Sequence, residues 1–390
     1  MPDVWITSTF GVGAVITVLI AISFWLERRF QAFSFLGTAL LVITGSAVLV
    51  NLGVIPSSLG EEIHPLYTFA NDYGVPMAIV LLLLSTDLKN VLSLGKSAMI
   101  AFTLGAIGTA IGAMIAVNLT ADGIGPEAWK VAGQFAASYI GGGINYAAVG
   151  NALQTSETMF ATGAAADNIM TNLWMVMTAV IPALLWKYYP TIRKNEGSEP
   201  SESKESFWKR KNISIYDMVT LLSVTFVIIA ISDFITPYID SWIGFSIPTV
   251  IVYTSLALLV SWFTPIRRFH GGEEMGNILL HFFFATMGAG TIVSTLIDRG
   301  PIVFIFLLIV VTIHALIVFG IGRWFKIEIE MLAVASQACV GGPSTALALA
   351  TSKGWVQLVT PAVLMGILGY AVGNYVGISL GYLMKTWIGG

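Results

Sequence analysis

Long apolar stretches alternate with short polar ones along the whole chain. Ten of them, at residues 4–26, 33–54, 75–94, 98–117, 159–185, 215–235, 245–263, 275–296, 302–322 and 357–383, are candidate spans. An α-helix needs about 20 residues to cross the hydrocarbon core of a bilayer. The pattern therefore predicts an all-α polytopic membrane protein with ten spans. Residues 60–69 are predicted to form a separate short helix on the surface.

Two further apolar stretches, residues 128–153 and 331–350, are interrupted by glycine. The first contains three glycines at 141–143, and the second contains Gly341 and Gly342 followed by Pro343. Glycine and proline break helices, and in lipid the freed backbone groups must find other partners. Such breaks at matching positions in two halves of a chain are typical of the binding site of a transporter.

The two halves of the chain resemble each other. Residues 18–23 match 227–232, and residues 33–34 match 245–246, in the same order along each half. The glycine breaks lie two hundred residues apart, and so do residues 85–86 and 285–286. This common order predicts an internal repeat. We assign residues 1–189 to the first repeat, 190–212 to a polar linker and 213–390 to the second repeat.

The distribution of Lys and Arg residues indicates whether the glycine-broken stretches cross the membrane. If each returns as a re-entrant hairpin, sixteen of the 19 Lys and Arg residues face one side, and only Lys130, Arg299 and Lys385 face the other. If both stretches cross, the positive-inside bias is split. We therefore expect two inverted repeats of five spans, each with one re-entrant helical hairpin. The linker is then cytoplasmic, both termini lie outside, and the hairpin tips meet near the midplane.

Composition excludes several classes of protein. The chain is 56% hydrophobic and 11% charged, too apolar for a soluble protein of 390 residues. No basic tract indicates a nucleic-acid partner. Cys339 is the single cysteine, and the four histidines lack ligand spacing, so we expect no metal beyond a sodium ion and no other cofactor. The first apolar stretch lacks a basic leader and is interpreted as a retained span.

The hairpin tips supply the candidate substrate-binding groups. Broken helix ends expose amides that suit anions and carbonyls that suit cations, and nearby hydroxyls and amides add hydrogen bonds. The alternative is that these glycines only allow close helix packing, as Gly108 and Gly112 would do. The candidate substrate-binding residues are Gly142, Gly143, Asn145, Gly341, Gly342, Ser344 and Thr345.

A carboxyl group inside the fifth span supplies the candidate ion site. Asp167 lies about eight residues into that span, near the midplane, where a charge is costly and usually faces an ion or a cavity. Asn168 follows it, and Asn172 lies one helical turn further on. A structural hydrogen bond is the alternative for Asp167. Asp87 and Asp233 are placed near the ends of their spans, where a functional and a surface role are both open. His281 is a minor candidate for a proton relay.

The glycine motifs carry a family resemblance. Residues 138–150 and 337–348 resemble the YjcL-like membrane proteins, and the resemblance covers nearly the whole chain. Paired glycine hairpins in inverted five-span repeats are more distantly similar to the glutamate–sodium symporter GltS and the 2-hydroxycarboxylate transporters. That resemblance implies substrate and sodium at the hairpin tips, an elevator motion and a homodimer. This chain departs from their fuller glycine pattern and has no arginine at the expected depth.

Taken together, the sequence predicts a secondary active transporter rather than an enzyme. The expected substrate is a small polar organic solute, namely an amino acid, a short peptide or a carboxylate, coupled to sodium or protons. The expected location is the plasma membrane, with lipid as the other partner. An intramembrane enzyme that uses Asp167, and a channel, are the alternatives.

Overall fold

The structure is a computed structural model that describes residues 4–58, 63–85, 94–191, 213–243, 247–290 and 293–388. Within these residues all regular secondary structure is helical. The predicted linker falls almost entirely on residues 192–212, and Asp87 on residues 86–93, so both lie outside the described residues. The all-α prediction is confirmed, and the division into repeats stays a prediction.

The described residues of the first half contain eight α-helices. They are α1 Thr9–Arg29, α2 Gln31–Asn51, α3 Pro65–Phe69, α4 Val75–Leu84, α5 Lys96–Ile124, α6 Ala128–Gly141, α7 Gly143–Ala152 and α8 Glu157–Leu185. A π-helical turn, Ala70–Gly74, joins α3 to α4, so these two form one continuous span, Pro65–Leu84. The expectation of a separate surface helix at 60–69 is therefore wrong, because the helix that begins at Pro65 continues into the span.

The described residues of the second half contain seven α-helices. They are α9 Ile215–Ile243, α10 Thr249–Phe263, α11 Gly272–Ala289, α12 Val293–Ala315, α13 Gly322–Trp324, α14 Ile329–Ser352 and α15 Val359–Ile388. A second π-helical turn, Leu316–Ile321, joins α12 to α13. We call α6 and α7 together hairpin 1, and α14 hairpin 2. Short 3₁₀ turns follow α8, α10 and α14.

Many of these helices have the length and hydropathy of membrane spans. Eight are long and apolar enough to cross a membrane, hairpin 2 among them, and two shorter apolar segments lie in α2 and α10. Helix α11 begins with Glu273 and Glu274 and is less apolar. Together these helices identify a multi-pass membrane protein.

Helix contacts pair the two halves of the chain with each other. Hairpin 1 packs on α15, the last helix of the second half, while hairpin 2 packs on α8, the last helix of the first half. Likewise α2 packs on α11, and α4 packs on α10. The predicted repeat would produce contacts of this kind, and the repeat itself stays a prediction.

Helices α5 and α12 cross at close range through two glycines. A Cβ on Gly112 would lie 2.9 Å from the carbonyl oxygen of Val310, and one on Gly108 would lie 3.0 Å from the Cα of His314. Small residues permit this close backbone approach between membrane helices. The packing role expected for Gly108 and Gly112 is therefore confirmed.

The hairpins lie at the centre of the molecule. In hairpin 2, 78% of the most apolar segment is buried, whereas the corresponding share is 22% in α1, α8 and α9. All but one of the residues of α6 are buried. The peripheral helices therefore surround the hairpins and leave their own apolar outer faces for lipid.

Candidate functional site

The two ends of hairpin 1 lie next to each other. The Lys130 ammonium donates to the carbonyl oxygen of Gln154 at 2.7 Å, and the Ser156 amide donates to Glu127 Oε1 at 2.9 Å. A continuous helix would place the two ends of this segment about 40 Å apart at 1.5 Å per residue. The predicted reversal of the chain at the glycine break is therefore confirmed.

The reversal in each hairpin occurs at a single glycine. Gly142 has φ 80° and ψ −175°, and Gly342 has φ 78° and ψ −171°, with helical residues on both sides. This backbone region is open essentially only to glycine. Because the same one-residue link joins two helices in both places, hairpin 2 reverses as hairpin 1 does.

The two tips touch each other. A Cβ built on Gly142 would lie 3.3 Å from the Cα of Gly342 and 3.7 Å from the carbonyl carbon of Gly341. Only backbone atoms meet at this point, since none of these residues has a side chain. The prediction that the two tips meet is confirmed, and their depth in a bilayer stays a prediction.

A cavity of about 430 Å³ opens beside the tips, and we call it the tip cavity. Polar groups reach it from three sides: the hairpins, the end of α4 and helices α11 and α15. The polar or charged residues that line it are Ser85, Glu273, Asn277, His281, Ser344 and Tyr370. Apolar side chains from α2, α4, α11, α15 and the two hairpins form most of the rest of its wall. Such a mixture of apolar walls and few polar groups is typical of a small-molecule site.

Four of the seven predicted substrate-binding residues line this cavity: Gly142, Gly143, Gly341 and Ser344. Gly143 and Ser344 are the most accessible of these four. Both begin the second arm of a hairpin, where the first amides of a helix lack intrahelical partners. The second arm of hairpin 1 begins without a side-chain cap, so its amides are available to an anion.

The other three predicted substrate-binding residues lie behind the tips. Asn145 is 1% exposed, and its amide donates to the carbonyl oxygen of Gly369 in α15 at 3.1 Å. The Thr345 hydroxyl donates to the carbonyl oxygen of Gly342 at 3.2 Å, and Gly342 itself is buried. Asn145 therefore fixes hairpin 1 against α15 in this structure, and its contact with solute stays a prediction.

Asp167 faces hairpin 1 from α8. Its Oδ1 accepts a hydrogen bond from the Thr171 hydroxyl at 3.3 Å. The hydroxyl of Tyr139, three residues before Gly142, approaches the same carboxylate without a hydrogen bond of regular geometry among the described residues. Asp167 is partly buried. The carboxylate and the hydroxyls of Thr171 and Tyr139 therefore lie close together beside hairpin 1.

Asn168 and Asn172 point away from Asp167. They lie about 100° and 140° around the helix from it. The Asn168 amide donates to the carbonyl oxygen of Ala164 at 3.1 Å, and the Asn172 amide donates to that of Asn168 at 2.7 Å. Thr171 and Tyr139 therefore lie beside Asp167, whereas Asn168 and Asn172 do not, and the ion-binding roles predicted for Asp167, Asn168 and Asn172 stay predictions.

A comparison with known proteins places the chain in a family. Residues 14–387 match the model of a family described as "Protein of unknown function (DUF819)". The chain is also 33% identical over 399 residues to the "Uncharacterized membrane protein YjcL" of Bacillus subtilis (strain 168), covering 99% of this chain and 98% of the relative. The chain belongs to the DUF819 family. The resemblance to YjcL-like membrane proteins is thus confirmed.

Sequence reasoning missed several residues of this DUF819 protein's tip cavity. Glu273, Asn277 and Tyr370 were not predicted, and His281 was only a minor candidate. His281 donates its Nδ1–H to the carbonyl oxygen of Asn277 at 2.7 Å, and its Nε2 lies 3.0 Å from the Thr38 hydroxyl. The pair of glutamates at the start of α11 was the available signal, but no motif connected it to the hairpins.

The sequence also did not identify the buried His314 as a structural residue. His314 in α12 is completely buried; its Nδ1 lies 3.0 Å from the carbonyl oxygen of Gly105, and its Nε2 lies 2.9 Å from the Ser336 hydroxyl. A carbonyl only accepts, so Nδ1 bears the proton and Ser336 donates to Nε2. Ser336 in turn accepts from the Trp174 indole N–H at 3.0 Å. This network ties hairpin 2 to α5, α8 and α12.

Proposed function

We propose that this DUF819 protein is a secondary active transporter of a small polar organic solute, coupled to sodium or protons. The observation behind this proposal is the contact between two broken helices, one from each half, beside a cavity with polar groups. Broken helices that meet in this way present backbone dipoles and freed peptide groups to a bound solute. A hydrolytic or redox centre would need a different group of side chains.

The tip cavity is the proposed solute site. The amides that begin the second arms suit a carboxylate, and Ser344, Asn277 and Tyr370 offer further hydrogen bonds. Its volume of about 430 Å³ matches a solute of amino-acid or short-peptide size. Gly142, Gly143 and Gly341 would contact the solute through their backbones.

The coupling ion is proposed to bind at Asp167. The carboxylate, with the hydroxyls of Thr171 and Tyr139, provides the oxygen atoms that a sodium ion or a proton requires. Because Tyr139 belongs to hairpin 1, occupation of this site would fix the arm that ends at the tip. Ion binding would thereby increase affinity for solute at the tip, which is the coupling that symport needs.

The resemblance to GltS and the 2-hydroxycarboxylate transporters adds two finer proposals. The hairpins, α8 and α15 would move together as the mobile body of an elevator, and the protein would form a homodimer. Contacts of each hairpin with the last helix of the opposite half support such a body. Mass determination in nanodiscs would distinguish a dimer from a monomer.

The decisive experiment is uptake into proteoliposomes. Purified protein is reconstituted, and flux of labelled amino acids, dipeptides and carboxylates is measured with and without an inward sodium or proton gradient. We expect one gradient to drive accumulation of at least one solute. Absence of any gradient-dependent flux from folded, correctly inserted protein would overturn the proposal. Single-channel currents would instead indicate a channel.

A further inference from the structure

A second cavity of about 460 Å³ lies at the other end of the bundle. It is bounded by the start of the Pro65–Leu84 span, the end of hairpin 1 and helices α9 and α10. Asp72 lines this second cavity, whereas Ser85, at the end of the same span, lines the tip cavity. Thirteen helical residues separate the two, which corresponds to about 20 Å. The second cavity is therefore distinct from the proposed solute site.

Two carboxylates face this cavity. Asp72 lies in the π-helical turn Ala70–Gly74, and Asp233 lies on α9; both are exposed to the cavity. Among the described residues neither makes an ion pair, since the one pair found there joins Lys130 to Glu127. A π-helical turn inside a span is often found at functional sites, because it displaces side chains from the regular helical positions. The cavity therefore holds negative charge that no basic side chain in the described residues neutralises.

Tyr253 supplies an independent indication of a ligand. This side chain on α10 is 95% buried, lines the second cavity, and lies within electrostatic reach of Asp233. Its hydroxyl has no hydrogen-bond partner among the described residues. The hydroxyl is not one of the fully buried unpaired polar atoms of the described residues, so it is open to the cavity. It can therefore accept a hydrogen bond from a group bound there.

The remaining wall is mostly apolar. Met77, Phe226, Ile229 and Val250 line it, Tyr73 adds an aromatic ring, and Asn151 and Thr249 are its other polar residues. A small inorganic cation requires oxygen atoms on most sides, and a mostly apolar wall offers few of them. An ammonium group attached to an apolar body satisfies both features, since aromatic rings and carboxylates attract the cation while the walls accept the hydrocarbon.

We propose that the second cavity is a binding site for a primary ammonium compound with an apolar body. The ammonium lies between the carboxylates of Asp72 and Asp233, and the Tyr253 hydroxyl accepts one of its hydrogen bonds. The same chemistry is offered by a soluble alkylamine and by the headgroup of phosphatidylethanolamine. The site stands independently of the proposed transport function, since none of its residues lines the tip cavity.

The predicted repeat gives this site a counterpart. Glu273 follows Asp72 by 201 positions, close to the 200 positions between Gly142 and Gly342. Each cavity therefore has an acid on the third helix of one half. If the repeat is present, the two cavities are its equivalent openings at opposite ends of the molecule.

Binding of n-butylammonium tests the proposal directly. The purified protein is titrated by saturation-transfer NMR or calorimetry, with 1-butanol as the neutral comparison. We expect saturable binding of the ammonium compound, no saturable binding of the alcohol, and about a tenfold loss of affinity in D233N or D72N. Y253F is expected to weaken binding by a few-fold. D217N, the same substitution at a partly buried position at the start of α9 that does not line the cavity, is the matched control and should bind as the native protein does.

Two outcomes would overturn the proposal: no saturable binding by the folded native protein, or unchanged affinity in the double variant D72N/D233N. Nanodiscs of phosphatidylcholine, with or without phosphatidylethanolamine, then assign the source of the ligand. Competition by phosphatidylethanolamine identifies the lipid headgroup, and unchanged binding identifies a soluble amine. Because uptake is measured separately, a failure of transport and a failure of this site are distinguishable.

Discussion

Gly142 and Gly342 lie in van der Waals contact and have nearly the same backbone dihedral angles, although two hundred residues separate them. Each is the single link between two helices, and each adopts a conformation that side chains disfavour. Several tests of the proposed function depend on this contact.

Replacing Gly142 by alanine should destabilise the protein by about 1–3 kcal/mol, because a Cβ at φ 80° is strained and would press against Gly342. The measurement is the thermal unfolding temperature in detergent. G143A is the matched control for stability, since Gly143 is helical and a Cβ there meets nothing within 4 Å. Equal unfolding temperatures for G142A and G143A would contradict the assigned role of the tip.

Cysteine accessibility tests the re-entrant path in a membrane. Asp122 and Gln154 flank hairpin 1 and are exposed, whereas the native Cys339 is buried and should label poorly. We expect D122C and Q154C to react with an impermeant maleimide from the same side of intact vesicles. Labelling from opposite sides would mean that the stretch crosses the bilayer, and the hairpin interpretation would fail.

Replacing Asp167 by asparagine should abolish gradient-driven uptake while leaving the fold intact. The neutral amide keeps the size of the side chain but removes the charge that a cation requires, so coupling should fall by about tenfold or more, or ~1.4 kcal/mol. Uptake with and without the sodium or proton gradient is the measurement. D122N makes the same change at an exposed position at the end of α5 and should retain coupling. Unchanged ion dependence in D167N would remove Asp167 from the site.

Replacing Ser336 by alanine should loosen hairpin 2. The substitution leaves both His314 Nε2 and the Trp174 N–H without their partner, at a cost of about 1–3 kcal/mol. Thermal unfolding measures the loss. S23A is the matched control, because the equally buried Ser23 hydroxyl only donates to a carbonyl of its own helix, that of Leu19. A loss in S23A as large as that in S336A would contradict a special role for the network.

Acid should weaken the base of hairpin 1. Burial raises the pKa of the Glu127 carboxyl, but hydrogen bonds from Ser156 and Lys130 outweigh it, so the pKa lies below its ordinary value of 4.5. A lowered pKa in the folded state stabilises the protein above about pH 4.5, and this stabilisation is lost as the pH falls through the lowered value. E127Q should therefore unfold at a lower temperature at neutral pH and show a smaller loss of stability between pH 5 and about pH 3. Parallel pH profiles of E127Q and the native protein would contradict this assignment.

The hairpins were predictable because their signals are local and periodic. Glycine breaks inside apolar stretches predict a reversal, and the distribution of Lys and Arg favours return over crossing, as the contacts between Lys130 and Gln154 show. The placement of Asn145 was not predictable from spacing alone. Asn145 lies about 200° around the helix from Gly143. Gly143 is therefore exposed at the tip cavity, whereas Asn145 faces α15.

The walls of both cavities depend on tertiary packing and gave little sequence signal. Glu273 and Asp72 reach their cavities only because distant helices come together there, and His314 finds Ser336 through the crossing of α12 with hairpin 2. Apolar patterns determine which helices are buried, but they do not determine which residues of separate helices become neighbours. Asp167 was recognisable because a charge near the middle of a span is costly.

The close approach of two residues without side chains, Gly142 and Gly342, limits how the sequence of this protein can change during evolution. Neither glycine has a side chain whose size or charge a substitution could adjust. Any other residue at these two positions would place a Cβ against the opposite hairpin. Under the proposed transport function, preference for one solute over another would depend on the surrounding walls, at positions such as Ser344 and Tyr370. Relatives that carry different solutes should then keep these two glycines and differ in the residues that line the cavity.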